Sequence, residues 1–212
     1  MAGPRKPTTD RVLDVAEALV QTRGFNAFSY ADISEAVGIR KASLHHHYPT
    51  KADLGLALVS RYRAAFLAAL ENIEAKDEAA PKRLERYTEL YGSVLRKGRM
   101  CMCGMLAADV ATLPVAMRKS IAGFFAENEE WLARMLADGK RRGEIEFEGT
   151  PASMAAFFVS SLEGAMLVAR GSGDPAPFDD VVRHLLARIQ PAGPRGQRRR
   201  RTTTPRGSSR QR

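Results

Sequence analysis

The segment from Gly38 to Lys51 carries several hydrogen-bond donors and no acid. Guanidinium, ammonium, hydroxyl and imidazole groups are the side chains that contact the base edges and phosphates of DNA. If residues 40–47 form a helix, Leu44 points inward and the donors point mostly outward. The outward donors are Arg40, Lys41, Ser43, His45 and His46. The pattern therefore indicates a surface that binds nucleic acid.

Neither the histidines of this segment nor the two cysteines have the spacing of metal ligands. Successive helical residues point about 100° apart, so His45, His46 and His47 cannot share one ion. Cys101 and Cys103 lack the further Cys or His ligands that a metal needs. There is no nucleophile elbow and no phosphate-binding loop, and the glycine-rich residues 171–176 follow a predicted helix, not a strand. We predict no metal, no cofactor and no enzyme activity.

Two helices must precede the donor segment. Apolar residues at three-to-four spacing predict a first helix with Thr8 or Thr9 as its N-cap, and Gly24 is placed to end it. Ser29 and Asp32 stand three residues apart, as in a capping box, and predict a second helix through residue 36.

A tight turn then leads into the donor helix. Gly38 permits the turn, and Pro49 ends the helix over residues 40–47 because the residue before a proline avoids helical geometry. Thr50, with Asp53 three residues on, caps a long helix that reaches about residue 74. The lengths and spacing are those of a helix-turn-helix.

The rest of the chain is also read as helical. Helices are predicted over residues 81–97, 114–142, 151–170 and 178–189, with no run of period-two alternation longer than a few residues. The predicted fold class is all-α, with an N-terminal three-helix helix-turn-helix DNA-binding domain followed by a helical-bundle ligand-binding and dimerisation domain. The predicted domains are a disordered N-terminus (1–7), the helix-turn-helix domain (8–54), the effector-binding and dimerisation domain (55–190) and a disordered Arg-rich tail (191–212).

The net charge of +9 comes from the tail. Residues 191–212 hold eight arginines and no acid, so subtracting 8 from 33 basic residues leaves 25 against 24 acids, or +1, for residues 1–190. Overall basicity is therefore no argument that the body binds DNA. Two roles for the tail stay open: added non-specific affinity for phosphate, which at its extreme makes the protein an architectural DNA binder, or a solubilising extension.

Residues 8–54 resemble the DNA-binding domain of the tetracycline-repressor (TetR) family of bacterial transcriptional regulators. The resemblance is carried by residues 11–16, 23–25, 32–39, 41–44, 47–49, 51 and 53–54. It implies a homodimer that binds a palindromic double-stranded DNA operator, usually as a repressor that a small-molecule effector releases. By position it places Arg40, Lys41, Ser43, His45 and His46 at the major groove. It places Ser29, Tyr30, Tyr48 and Lys51 at phosphates.

The body offers candidate effector contacts among side chains that are mostly core. The candidates are Tyr87, Tyr91, Met105, Asp109, Phe124, Asn128, Trp131 and Glu163. Glu163 stands out because it interrupts an apolar helix face; the other reading is a hydrogen bond at a helix interface. The apolar runs of the helices over residues 151–170 and 178–189 predict a dimer bundle of four helices from two chains.

The two cysteines leave a second function open. They are too few and too close for a disulfide framework, which favours a reducing compartment. Cys101 and Cys103 either fill the core or serve a redox- or electrophile-sensing regulator, since Arg96, Lys97 and Arg99 just upstream could lower a thiol pKa. Residues 1–10 have no apolar run, and polar residues interrupt the stretch over residues 152–169, so we predict no signal peptide, no membrane contact and a cytoplasmic location.

Overall fold

The computed structural model describes residues 6–191 of the chain, and the all-α prediction is confirmed within them. The predictions for residues 1–5 and 192–212, which include most of the Arg-rich tail, lie outside the described residues. The longer elements are α1 (Thr8–Arg23), α2 (Tyr30–Val37), α3 (Lys41–His47), α4 (Lys51–Glu74), α5 (Ala80–Leu95), α6 (Met102–Ala108), α7 (Val115–Arg142), α8 (Pro151–Ser172) and α9 (Ala176–Ala187). Two single-turn 3₁₀ helices, Phe25–Ala27 and Val110–Thr112, follow α1 and α6.

The predicted caps explain most of the boundaries in the head, which we define as α1 to α3. Both capping boxes are present: Ser29 with Asp32 opens α2, and Thr50 with Asp53 opens α4. Gly38 ends α2 in the left-handed conformation at φ 71°, which a residue with a Cβ rarely adopts. The prediction for the first N-cap is wrong, because Pro7 occupies that position and its carbonyl accepts the Arg11 amide at 3.1 Å.

The core of the head joins all three of its helices. Val12 and Ala16 of α1, Ile33 of α2 and Leu44 of α3 are fully buried, and they meet Leu54 of α4 in one continuous apolar cluster. Burying Leu44 turns the rest of α3 outward, as the sequence predicts. Because α4 also packs against α7, the same helix belongs to the head and to the body, which we define as α5 to α9.

The body is a helical bundle in which α8 packs against α7 and α9. Pro114 is the N-cap of α7 and Gly143 its left-handed C-cap, as predicted. The last helix spans Ala176–Ala187 rather than residues 178–189. Its N-cap is Pro175, and the Ala176 amide donates to Asp174 Oδ1 at 2.9 Å. The sequence analysis also missed a two-stranded antiparallel pair, β1 (Ile145–Glu146) with β2 (Gln190–Pro191), since two residues show no period.

Helix α8 overturns one reason given for the membrane prediction, but not the prediction itself. By length and composition alone, Pro151–Ser172 is apolar enough to cross a membrane, with a mean hydropathy of 1.6 over its best window. The polar residues within this stretch therefore do not exclude a membrane span by length and hydropathy. In the structure Phe158, Leu162 and Met166 are buried among the helices of the body, and a core helix passes the same test.

Candidate DNA-binding face and effector pocket

Helix α3 presents an exposed row of donors. Arg40, Lys41, Ser43, His45 and His46 are all exposed around the fully buried Leu44. Within residues 6–191, the side chains of Arg40, Lys41, Ser43 and His46 have no hydrogen-bond or ion-pair partner. Donors left free on a short helix that a buried leucine anchors are the arrangement that reads base edges in the major groove.

Tyr30 holds α3 in position instead of projecting toward a ligand. Its side chain is 6% exposed, and its hydroxyl lies 2.8 Å from the Tyr48 carbonyl oxygen and 2.6 Å from that of Thr50. Burial, followed by the charges of Asp53 and Tyr48, raises the pKa of Tyr30 to about 12, so the hydroxyl keeps its proton. The hydroxyl thus braces the α3–α4 link, and the predicted phosphate contact of Tyr30 would require it to leave these partners.

The Tyr30 ring also lies against His45, with the ring centroids 4.7 Å apart. His45 Nδ1 is 3.2 Å from the Pro49 carbonyl oxygen, which leaves Nε2 as the ring nitrogen available to DNA. Ser29 is exposed, but its hydroxyl is engaged in the capping box with Asp32 at 2.7 Å. Half-burial raises the pKa of Tyr48.

The Lys51 ammonium faces inward. It donates to the Phe28 carbonyl oxygen and lies 4.3 Å from the Phe28 ring centroid and 4.8 Å from that of Phe25. Burial lowers the pKa of Lys51, against the opposing charges of Asp32 and Asp109. The side chain thus joins the start of α4 to the turn after α1, and its predicted contact with phosphate would require it to leave these partners.

The head is docked on the body at the C-terminal end of α1. Two nitrogens of Arg170 donate to the carbonyl oxygens of Gln21 and Thr22 at 3.2 Å and 2.5 Å, and the Met100 amide donates to Gln21 at 3.1 Å. The Phe25 amide donates to Asp109 Oδ2 at 2.9 Å. Asp109 therefore helps to dock the head on the body.

A second connection joins α1 to α4. Arg61 donates to Asp14 at 2.9 Å and to Glu17 at 2.7 Å. Burial, the largest single contribution, raises the pKa of Asp14, but the bonds and charges of Lys6 and Arg61 together outweigh it and the net shift is downward. The sequence analysis missed Arg61 and Arg170 because neither stands in a motif, and each finds its partners only through the packing of distant helices.

A pocket of about 420 Å³ opens beside Arg61, between α4 and α5. Its charged lining consists of Asp14 and Glu17 of α1 and Arg61 of α4. Its apolar and aromatic walls include Tyr62, Phe66, Leu90, Tyr91, Cys101 and Met166. The size and the mix of apolar walls with a few polar groups are typical of a site for a small molecule.

A buried polar network supports the pocket from behind. The Tyr87 hydroxyl donates to Asn128 Oδ1 at 2.9 Å, and Asn128 Nδ2 donates to the Tyr91 hydroxyl at 2.7 Å. Trp131 stacks on Tyr87 at 5.8 Å between centroids, and Phe124 contacts the pocket residues Tyr62 and Phe66. Of the predicted effector residues only Tyr91 lines this pocket; Tyr87, Phe124, Asn128 and Trp131 form the layer behind it.

Met105 and Glu163 line a different cavity, of about 410 Å³, on the other side of α6. The Glu163 carboxylate approaches α6 closely at Gly104, where any side chain would collide with it. Its Oε1 is buried and has no hydrogen-bond partner in the described part of the chain. Burial raises the pKa of Glu163 to about 7.

Both cysteines lie in the interior, and Cys101 also lines the pocket beside Arg61. Cys101 is 3% exposed and Cys103 is fully buried. Burial and then the neighbouring Glu163 raise the pKa of both thiols. This overturns the expectation that the upstream basic residues lower a thiol pKa. Across residues 6–191 no cluster of three His, Cys, Asp or Glu side chains is arranged to hold a metal ion.

An exposed donor helix, packed by one leucine against α1 and α2, defines a helix-turn-helix DNA-binding regulator. The family model described as "Bacterial regulatory proteins, tetR family" matches residues 12–58, and "Tetracyclin repressor-like, C-terminal domain" matches residues 80–185. The chain belongs to the TetR family of transcriptional regulators, which are not enzymes.

Individual proteins agree with this assignment. A TetR-family transcriptional regulator from Agrobacterium tumefaciens, known from its crystal structure, is 35% identical, with a TM-score of 0.83 over 86% of this chain and 97% of that one. The transcriptional regulator AcuR of Cereibacter sphaeroides is 27% identical over 79% of this chain and 80% of its own. The transcriptional repressor NemR of Escherichia coli K12 is 23% identical over 84% of this chain and 92% of its own.

Proposed function

We propose that this regulator is a homodimeric repressor that binds a palindromic operator through α3 of each protomer and is released by a small-molecule effector. Residues 8–54 form the DNA-binding domain of this proposal and residues 55–190 the effector-binding and dimerisation domain. The observation that carries it is the set of exposed donors Arg40, Lys41, Ser43 and His46. Their side chains have no partners among residues 6–191, although most other arginines of the head and α4 are paired.

Base recognition falls to the free donors of α3. Arg40, Lys41, Ser43 and His46 would contact base edges, with His45 contributing Nε2. The N-terminal amides of α2 and α4, next to Ser29 and Thr50, suit phosphates, since helix N-termini present unpaired donors to anions. Tyr48, at the end of α3, lies between the base-contacting donors and the phosphate-binding start of α4.

The proposed dimer interface is formed by α8 and α9. Leu167 and Val168 of α8 are 62% and 59% exposed, and Phe157 is 42% exposed. Large apolar side chains concentrated on one helix are typical of a surface that a partner covers. Pairing α8 and α9 with the same helices of a second copy would bury them in a four-helix bundle.

Release would follow from the position of the pocket between α4 and α5. A molecule bound there would touch Arg61, the residue that joins α4 to Asp14 and Glu17 of α1. Any change in these bonds alters the placement of the head relative to the body. Because the two heads of a dimer must match half-sites about one helical turn or more apart, a change in placement lowers operator affinity.

The test is fluorescence anisotropy with DNA from immediately upstream of the protein's own gene, using the full chain and a chain without residues 191–212. We expect sequence-dependent binding that survives removal of the tail and stoichiometry of one dimer per palindrome. Binding that disappears with the tail, or that ignores sequence, would instead support an architectural DNA binder.

A further inference from the structure

A cavity of about 440 Å³ lies where the body meets the end of α1, separate from the pocket beside Arg61. Its apolar lining includes Leu95, Met100 and Ala169, and its charged lining consists of Arg96, Arg99, Arg170 and Asp174. The volume lies within the range of small-molecule sites. Three arginines against one acid give this lining a positive charge that the pocket beside Arg61 does not have.

The charges of this cavity are unequally compensated. Arg96 is paired with Glu89, and Asp174 accepts the Ala176 amide at the start of α9. Arg99 is half-buried, yet its side chain has no ion pair or hydrogen bond to any residue from 6 to 191. Arg170 donates only to uncharged acceptors, the carbonyl oxygens of α1 and the Met105 sulfur. Two guanidinium groups beside an apolar wall are thus left without a carboxylate in the described chain.

We propose that this cavity binds a small amphipathic anion, with a carboxylate or phosphate head on a short apolar body. Arg99 and Arg170 would bind the head, because the planar guanidinium matches both oxyanions with two parallel hydrogen bonds. Leu95, Met100 and Ala169 would contact the apolar part. The site is additional to the effector pocket of the proposed function and does not depend on it.

Binding of the anion would also affect the hydrogen bonds that dock the head on the body. Arg170 donates to Gln21 and Thr22 at the end of α1, so a ligand that attracts its guanidinium weakens those bonds. We therefore expect the anion to lower affinity for DNA, and linkage requires that DNA then lowers affinity for the anion by the same factor.

The experiment is isothermal titration calorimetry of the full-length protein without DNA. The probes are octanoate and octyl phosphate, with octanol and octylamine as uncharged and cationic counterparts of equal chain length. We expect both anions to bind and the other two probes to bind at least tenfold more weakly. Arg99→Gln should reduce affinity for the anions about tenfold or more, the loss typical of a charge-assisted bond. Arg99→Lys, which keeps the positive charge, should retain part of the affinity for the anions.

Arg63→Gln is the matched control, because Arg63 pairs with Glu127 on the other side of α4 and does not line the cavity. It should bind the anions like the unchanged protein, and the tail arginines are present in every variant. The proposal is overturned if neither anion binds, if octylamine binds equally well, or if Arg99→Gln matches Arg63→Gln. It is also overturned if Arg99→Gln lowers operator affinity and its salt dependence without any anion present, since Arg99 would then contact DNA phosphates.

Discussion

The polar side chains of α3 and those of the body interior are arranged in opposite ways. On α3 the donors are exposed, and all but His45 lack partners within the described residues, whereas Tyr87, Tyr91 and Asn128 of the body are buried and bonded to one another. An exposed unpaired donor costs the fold nothing because water satisfies it, while a buried one must find a partner. The head can therefore keep its donors for DNA, and the body uses its polar groups to shape a cavity.

This comparison predicts that the apolar anchor of α3 matters most for stability. Leu44→Ala removes a fully buried side chain from the head core and should cost about 2–5 kcal/mol in the free energy of unfolding. Urea denaturation measures the loss. His46→Ala, two residues away and exposed, should remain within about 0.5 kcal/mol of the unchanged protein. Equal losses for the two variants would show that α3 is not anchored as described.

The body should contribute the larger dependence of stability on pH. Burial raises the pKa of Glu163 to about 7, above its ordinary value of 4.5, so the folded state favours the protonated acid. The contribution to stability is complete below about pH 4.5 and declines as the pH rises through 7. Glu163→Gln should remove this decline and be more stable than the unchanged protein at pH 8, by about 1–3 kcal/mol.

Thermal unfolding between pH 5 and 8 tests this expectation, and Glu130→Gln is the control because Glu130 lies exposed on α7. The control should follow the pH profile of the unchanged protein. If Glu163→Gln shows the same decline with pH, another group is responsible.

In the head, loss of a donor should affect DNA binding and leave stability unchanged. Arg40→Ala should weaken binding to the preferred operator by about 1–3 kcal/mol, or about 5- to 150-fold, and reduce discrimination between operator variants. Anisotropy on a panel of single-base operator variants measures both effects. The unfolding midpoint should not move, because Arg40 has no intramolecular partner in the described range. A uniform loss across the panel would indicate a phosphate contact instead.

Tyr30→Phe tests the one polar group of the head that behaves like those of the body. It removes the buried hydroxyl that bonds to the carbonyl oxygens of Tyr48 and Thr50, and should cost about 1 kcal/mol of stability. Operator affinity should fall modestly and equally for all sequences, because the orientation of α3 relaxes. Tyr48→Phe, whose hydroxyl makes no hydrogen bond within residues 6–191, should unfold at the same urea concentration as the unchanged protein.

Much of the fold could be predicted from local signals. Ser29 with Asp32, Thr50 with Asp53, and the glycines at positions 38 and 143 act within one or two turns, so their geometry does not depend on distant contacts. The β1–β2 pair could not be predicted, because its two strands lie far apart in the chain and each is too short to show a pattern.

The residues of the candidate site can also be divided into those that local signals predict and those that they do not. Leu44 and the free donors of α3 follow from periodicity on a single helix. The roles of Tyr30, Lys51 and Asp109 do not, since each is decided by a carbonyl or amide that folding brings from another element. A tyrosine, a lysine and an aspartate have the same appearance in the sequence whether they bind a ligand or hold the fold.

By itself the sequence determined that the chain is helical, where most of its helices begin and end, and that α3 carries a donor face without acids, although it did not predict α6. It did so because capping, periodicity and turn chemistry are interactions over three or four residues. Only the tertiary structure decided which polar groups remain free and which are used internally. It brought Arg61 to Asp14 and Glu17, and Arg170 to the end of α1, across separations of 44 to 149 residues. Hydrogen bonds over such distances depend on how helices pack, and no local pattern encodes that.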